Sequence, residues 1–169
     1  MRKPALKKYF RHYYYKVVMD RGTPEYIARG WALGAAVGSI IPLGGQLLVS
    51  IPLSFLLKGS KIGATLGTFH TNPLTIWFIY PAQCWIGNKL IGGNLTYQAV
   101  EAALDDLIRH KSYPALLKLS GEVIASFFTG GILLALILTP IVYYVVKFLV
   151  IQYRKQKELR KLRRNRNSI

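Results

Sequence analysis

Two long apolar runs, each interrupted near its middle by glycine, proline and polar side chains, dominate the hydrophobic pattern of the chain. The first run extends from Gly30 to Leu57 and is broken at residues 42–46 (PLGGQ); the second extends from Ile62 to Asn88 and is broken at residues 70–75 (HTNPLT). A helix needs about 20 residues to cross a bilayer core, whereas the halves of the first run, 31–41 and 46–57, contain only 11 and 12. We interpret both runs as broken or re-entrant membrane helices.

The breaks are candidate binding sites, because non-helical backbone persists at membrane depth only where protein buries it or where it lines a wet cavity. An alternative is that Pro42 and Pro73 only kink two continuous spans, whose glycines allow close helix packing. The runs also resemble each other at an offset of 29 residues, which aligns Leu33–Ser39 with Ile62–Thr68. Duplicated broken helices are typical of transporter folds, where they surround a site near the midplane.

A third apolar segment, Val123–Val146, is 24 residues long and uncharged, which suits a simple transmembrane helix that continues into a basic tail. Before the first run, Thr23 is a candidate N-cap, Pro24 suits the first helical position and Glu25 favours the positive helix end, so a helix should begin there. The spacing of apolar residues predicts amphipathic helices at 5–21 and 97–110.

The expected fold is therefore an all-α integral membrane protein with two broken or re-entrant helical hairpins, one simple transmembrane helix and flanking amphipathic helices. Its segments are a basic aromatic interfacial arm (1–29), the paired broken helices (30–88), an amphipathic surface helix and link (89–122), the transmembrane helix (123–150) and a basic tail (151–169).

Composition and charge agree with a membrane protein of one domain. The 169 residues are 51% hydrophobic and carry a net charge of +16, with the basic residues concentrated at the two ends and absent from the apolar runs. Basic ends around an apolar middle indicate contact with anionic lipid and argue against a nucleic-acid partner. The expected lipid-headgroup contacts are Lys7, Lys8, Arg11, Arg154, Arg160 and Arg163.

Both basic ends predict cytoplasmic termini, so the number of full crossings should be even. Two arrangements satisfy this condition. In one, the first run is a re-entrant hairpin that returns through the basic link Lys58–Lys61, and the second run crosses; in the other, the second run is re-entrant from outside. The basic link favours the first arrangement. Small residues at four-residue spacing, Gly30, Gly34 and Gly38, allow close helix contact within the protein or between copies in a homo-oligomer.

The polar groups of the breaks are the candidate substrate-binding residues, because polar side chains inside a membrane are costly and usually face an interior. Half-helix N-termini carry partial positive charge and can hold an anion. Arg29 is either an anchor at the membrane surface or a phosphate contact facing the first break. The predicted set is Arg29, Gly44, Gly45, Gln46, His70, Asn72 and Thr75.

Two functions fit this pattern. The first is a transporter or flippase for a lipid or an anionic headgroup at the broken helices. The second is a non-transporting scaffold or accessory subunit, in which Gln46 bonds to neighbouring carbonyls and Asn72 caps the second half-helix. We expect neither an enzyme nor a cofactor or metal site, because His12, His70 and His110 are the only histidines and the apolar runs lack carboxylates.

The residues GTPEYIARGWALG at 22–34, Gly38, the P-L-G-G-Q element at 42–46 and the N-P-L-T element at 72–75 resemble the bacterial membrane family called domain of unknown function 2062. The resemblance covers roughly residues 20–150. At position 70 the family leads us to expect a small polar residue, where this chain has His70. The resemblance implies the bacterial inner membrane, a role in handling envelope lipids or lipid-linked sugars and an envelope glycosyltransferase as a partner. The paired broken helices are also similar in architecture to the DedA group of lipid-carrier transporters.

Overall fold

The computed structural model describes residues 22–98, 100–102, 105 and 121–166, and every regular element in these ranges is helical. The sequence predictions for residues 5–21, including Lys7, Lys8 and Arg11, and for most of 97–110 lie outside the described residues. The elements are α1 (Pro24–Ile40), α2 (Gln46–Leu56), α3 (Lys61–Gly67), a 3-10 turn (Thr68–His70), α4 (Ile76–Leu90) and α5 (Gly121–Arg166).

Helix α1 begins where the sequence predicts a helix start. The Thr23 hydroxyl accepts a hydrogen bond from the backbone N–H of Tyr26 at 3.2 Å, Pro24 is the first helical residue and Glu25 lies in the first turn. A hydroxyl cap, a proline with no N–H to satisfy and a carboxylate near the positive helix end all favour this position.

The first apolar run folds back on itself as a hairpin. Helix α2 returns from the break to Ser60, whose N–H donates to Tyr26 O at 3.0 Å, one turn into α1. Helix α3 then leaves Ser60 and runs parallel to α1, since Gly30 lies against the Ser60 backbone and Gly34 lies against Ala64. The chain therefore passes the same end of the molecule at residue 26 and again at residue 60.

The second run continues in one direction, because α4 and α1 are both antiparallel to α5. On α1, Glu25 pairs with Lys147 at 3.1 Å and the Ser39 carbonyl lies against Gly131. On α4, the Gln83 amide donates to Phe127 O at 2.9 Å, and the Asn88 amide near the helix end donates to Glu122 at 2.9 Å. Helices α1 and α4 thus lie one after the other along α5.

The small-residue stripe on α1 is used inside the chain. A Cβ added to Gly30, Gly34 or Gly38 would lie 2.2, 2.2 and 2.7 Å, respectively, from atoms of Ser60, Ala64 and His70. At Gly30 and Gly34 the contact is with backbone, and at Gly38 it is with the His70 ring, so none of the three positions has room for a larger residue. The stripe that the sequence predicts as a contact within the protein or between copies lies against the protein's own second run.

Among the described residues, one helix is long and apolar enough to cross a membrane by length and composition: α5, over Gly121–Arg160. Only 11% of its most apolar window is buried inside the protein, whereas the core helix of a soluble protein is mostly buried. The predicted continuation into the basic tail is confirmed, because α5 stays helical through Pro140 and on to Arg166. Helix α2 is apolar but has only 11 residues.

Candidate functional site

The two breaks have the same backbone pattern. In each, the helix or 3-10 turn ends, a bend and a tight turn follow, and a new helix begins, at Gln46 in the first run and Ile76 in the second. Both interruptions fall on the residues that the sequence singles out. The matching positions are 30 residues apart at the breaks, one more than the offset of 29 that aligns the preceding helices.

The breaks contact each other through Gln46 and Thr71, which are 4% and 1% exposed. Nε2 of Gln46 lies 2.9 Å from Ile41 O, 2.9 Å from Thr71 Oγ1 and 3.2 Å from Gly38 O. The Thr71 hydroxyl lies 3.0 Å from Gly38 O and 3.1 Å from Thr68 O. The last carbonyls of a helix have no partner within the helix, so these two side chains satisfy them and join the breaks.

Asn72 and Thr75 hold the second break by local hydrogen bonds. Asn72 Oδ1 accepts from the backbone N–H of Leu74 at 2.9 Å and of Thr75 at 3.2 Å, which is an Asx turn. The Thr75 hydroxyl accepts from the Asn72 N–H at 2.9 Å and donates to His70 O at 2.7 Å. Asn72 therefore caps the turn, whereas the N-cap residue of α4 is Thr75, whose side chain does not cap the helix.

The start of α2 differs from the start of α4 because its N–H groups are open. Gly44 adopts a positive φ of 108°, and the N-cap Gly45 has no side chain to cap the helix. The described residues accept no hydrogen bond from the backbone N–H groups of Gln46, Leu47 or Leu48. A helix start of this kind carries partial positive charge with donors pointing outward, which favours an anion.

A groove of about 370 Å³ lies between the breaks. Three predicted site residues line it, namely Gly44, Gln46 and Asn72, whereas Gly45 and Thr75 belong to the turns but not to its wall. The other lining residues are Leu43, Leu47, Thr68, Phe69, Thr71 and Pro73. The groove is thus mostly apolar, with amide and hydroxyl groups at the point where the breaks meet.

His70 lies beside a different cavity. Its Nδ1 is 3.0 Å from Gly67 O and its Nε2 is 3.1 Å from Ser39 Oγ, so both ring nitrogens have partners. The ring lines a cavity of about 260 Å³ between α4 and α5, together with Gln83. Only the His70 carbonyl, which accepts from Thr75, takes part in the break.

Arg29 lines a third cavity, a cleft of about 660 Å³ between α1, α2 and α5. It precedes Gly38 by nine residues, which corresponds to about 13 Å along α1. The predicted site residues are therefore divided among three cavities, and Arg29 does not line the groove between the breaks. Among the described residues no cluster of His, Cys, Asp and Glu side chains has the size and proximity of a metal site.

Thr71 is the contact between the breaks that the candidate set omitted. It belongs to the HTNPLT element, but its importance depends on the Gly38 carbonyl, 33 residues away, lying beside it. A threonine next to Asn-Pro signals only a local turn. No pattern within either run alone identifies this contact.

Residues 7–159 match a family model with the description "Uncharacterized protein conserved in bacteria (DUF2062)". No curated protein and no solved structure matches the chain.

Proposed function

Because the chain belongs to the bacterial family DUF2062, whose description assigns no activity, we propose from the geometry that it is a transporter or flippase for a lipid or an anionic headgroup. In this proposal the protein is a multi-pass protein of the bacterial inner membrane. Its first run is re-entrant from the cytoplasm, its second run crosses, and α5 returns. The substrate moves through the groove between the breaks.

The distribution of polar and apolar side chains supports a membrane environment. Ser39, Ser50 and Ser126 are completely buried, whereas Leu48 and Leu74 are 79% and 82% exposed. Soluble monomers rarely leave large contiguous apolar surfaces in water, but lipid is a good solvent for them. Polar groups that face the interior and leucines that face outward are the arrangement required of a helical membrane protein.

The charges of the described residues support cytoplasmic ends for the chain. One end of the molecule carries the following basic residues, with Glu25 and Glu158 as the acidic ones: Arg29, Lys58, Lys61, Lys147, Arg154, Lys155, Lys157, Arg160, Arg163 and Arg166. The other end carries Lys89 with Glu101, Asp105 and Glu122. Since basic residues accumulate on the cytoplasmic side, the end that holds the start of α1 and the tail of α5 is cytoplasmic.

The depth of the breaks follows from their level along α5. The end of α1 packs beside Gly131, nine residues from Glu122 and sixteen from Lys147. These intervals are about 13 and 24 Å of helix. Both breaks therefore lie beside the uncharged part of α5. Their level is within about 5 Å of the midpoint between Glu122 and Lys147, by the same helical rise. At that depth an open helix start has no water to satisfy it.

The observation that carries the proposal is the open start of α2 beside the groove. In an apolar layer, uncapped N–H groups favour an anion more strongly than they do in water, because less screening opposes the attraction. Half-helix N-termini that point at anionic substrate groups are the usual binding elements of transporters with broken helices. A headgroup in the groove would be held by backbone donors, with apolar walls beside its chains.

A scaffold is the second candidate function, and one observation favours it. The Gln46, Thr71, Asn72 and Thr75 side chains all make hydrogen bonds within the breaks, as residues that only stabilise an interrupted helix would do. In this reading the protein supports an envelope enzyme such as a glycosyltransferase. Co-purification with that enzyme, together with translocation no faster than in empty vesicles, would support the scaffold.

Translocation of fluorescent phosphatidylglycerol in proteoliposomes tests the transport proposal through Gly45, which lies at the α2 N-cap with φ −89° and ψ −15°, a conformation open to any L-residue. Gly45→Asp adds a carboxylate beside the open N–H groups and should lower the rate about tenfold by repelling an anionic headgroup. Gly45→Ala adds neither a charge nor a hydrogen-bond acceptor, so it leaves the N–H groups open and should stay within about twofold of the wild type.

The control for folding is the thermal stability of both variants in detergent. An N-cap Asp is at least as favourable as glycine and more favourable than alanine, so Gly45→Asp should melt no lower than Gly45→Ala. Equal translocation by the two variants would contradict an anion site at this helix start. A wild-type rate equal to that of protein-free vesicles would contradict transport itself.

A further inference from the structure

The cleft that contains Arg29 is the largest of the three cavities, at about 660 Å³. Its walls come from three helices and are almost entirely apolar: Ala32, Leu33, Ala36 and Val37 of α1, Leu53 and Leu57 of α2, and Thr139, Pro140, Tyr143 and Tyr144 of α5. From Arg29 to Val37 it follows α1 for eight residues, or about 12 Å. The cleft therefore extends along α1 and has a charged residue at one end.

Arg29 provides that charge without an acidic partner among the described residues. Glu25 lies one turn earlier on α1, the position from which a carboxylate usually pairs with an arginine. Instead, Glu25 forms an ion pair with Lys147, whose Nζ lies 3.1 Å from Glu25 Oε1. A backbone hydrogen bond and the Lys147 ammonium hold the pKa of Glu25 below its ordinary value, so Glu25 stays charged and bound to Lys147. The guanidinium of Arg29 is exposed at the cleft.

The charged end of the cleft lies at the level of the membrane surface in the topology proposed above. Tyr143 and Tyr144, whose rings stack edge to face at 5.4 Å, form the rim on α5 one turn before Lys147. Tyrosine is enriched at the headgroup level of membrane proteins, and arginine there meets lipid phosphate. The apolar walls extend from this level towards the breaks.

We propose that this cleft binds one anionic glycerophospholipid from the cytoplasmic leaflet, with an acyl chain between α1, α2 and α5 and the phosphate on Arg29. Charge complementarity and the apolar walls select this occupant. A soluble anion would leave the walls empty, and an uncharged lipid would leave Arg29 unpaired. The inference uses the membrane topology of the proposed function but does not depend on transport, since a bound lipid can also stabilise a scaffold.

Lipid retention by the full chain tests the proposal. The protein is extracted in neutral detergent from bilayers with equal amounts of phosphatidylglycerol and phosphatidylcholine, and bound lipids are counted by native mass spectrometry. The wild type should retain phosphatidylglycerol in preference, and Arg29→Gln should lower that preference about fivefold. The matched control is Lys58→Gln, which removes a charge at the same end but outside the cleft and should leave the preference unchanged.

The apolar walls are tested separately. Ala36→Phe fills the cleft and should abolish the retention of both phosphatidylglycerol and phosphatidylcholine. Leu57→Trp should have the same effect, and because Leu57 is 53% exposed, the larger side chain is easily accommodated by the fold. Excess inorganic phosphate should not displace phosphatidylglycerol. The proposal is overturned if Arg29→Gln and Lys58→Gln behave alike, if both filling variants keep their lipid, or if phosphate alone empties the site. If the wild type retains phosphatidylglycerol as expected but translocates no lipid, the proposed function is contradicted and the lipid site is not.

Discussion

Leu47→Trp is expected to reduce lipid translocation in proteoliposomes to nearly the rate of protein-free vesicles. Leu47 lines the groove between the breaks and is 42% exposed, so an indole ring has room to enter the groove and fill it. Its side chain takes no part in the hydrogen bonds that hold the breaks together. The substitution therefore removes the space for a substrate while it leaves the Gln46–Thr71 contact in place.

The matched control is Leu48→Trp. Leu48 is the next residue on α2, is 79% exposed and does not line the groove, so its variant should translocate lipid at the wild-type rate. Both variants add the same side chain to the same helix, and their melting temperatures in detergent should agree closely. Translocation by Leu47→Trp at the wild-type rate would exclude this groove as the route of the substrate.

The second large effect is expected from Gly130→Ala, which should destabilise the packing of α4 on α5. A Cβ at Gly130 would lie 1.9 Å from Gln83 O, and one at Gly87 on the facing helix would lie 1.9 Å from Ser126 O. Both contacts are with backbone, which cannot rotate away, so the helices must separate. Overpacking of this kind costs about 1–3 kcal/mol, which corresponds to a fall of several degrees in melting temperature for a chain of this length, about 2–4 °C per kcal/mol.

Gly121→Ala is the control on the same helix. Gly121 is the first residue of α5 in the described ranges, and a Cβ there meets no atom of the described residues within 4 Å, so alanine adds no clash. Its melting temperature, followed by circular dichroism in detergent, should equal or exceed that of the wild type. If Gly130→Ala melts at the same temperature as Gly121→Ala, the close crossing of α4 and α5 is wrong.

The local features of the fold were predictable because they depend on residues close together in sequence. Thr23 and Pro24 mark a helix start through capping chemistry that involves only the next turn. Proline and glycine at 42–45 and Asn-Pro at 72–73 interrupt helices through backbone effects that are equally local. The uncharged length of Val123–Val146 was sufficient to identify the one helix in the described ranges that is long and apolar enough to cross a membrane.

The composition of the site was not predictable, because it depends on how the helices pack. Arg29, Gln46 and His70 are all polar residues near the two runs, but α1 places Arg29 about 13 Å from Gly38, whose carbonyl contacts Gln46 and Thr71. His70 turns towards Ser39 and the α4–α5 cavity. To predict which of these residues line the same cavity, one must know the direction of each helix and its rotation about its axis. Neither quantity follows from hydrophobic periodicity in runs that are apolar on all sides.

The structure also changes which substitutions can test transport. Because the sequence predicts Gln46 as a substrate-binding residue, Gln46→Ala is the obvious test of transport. In the fold, the Gln46 amide contacts Gly38 O, Ile41 O and Thr71, and loss of a buried partner of this kind costs about 1–3 kcal/mol. Loss of transport in that variant would therefore reflect a damaged break as readily as a damaged site. Leu47 and Gly45 are better positions, because the Leu47 side chain makes no hydrogen bond and Gly45 has no side chain to lose.

The central claim is that the two breaks meet inside the hydrocarbon layer, and the depth of Leu74 tests it most directly. Leu74 lies in the second break and is 82% exposed, so Leu74→Cys accepts a spin label without disturbing the core; Cys84→Ala removes the one native thiol, which is buried. In reconstituted bilayers, the label at Leu74 should be more accessible to oxygen and less accessible to a water-soluble nickel complex than labels at Tyr144→Cys and Leu90→Cys, which lie towards the two surfaces. Equal or greater nickel accessibility at Leu74 would put the break in water or among the headgroups and would contradict the account.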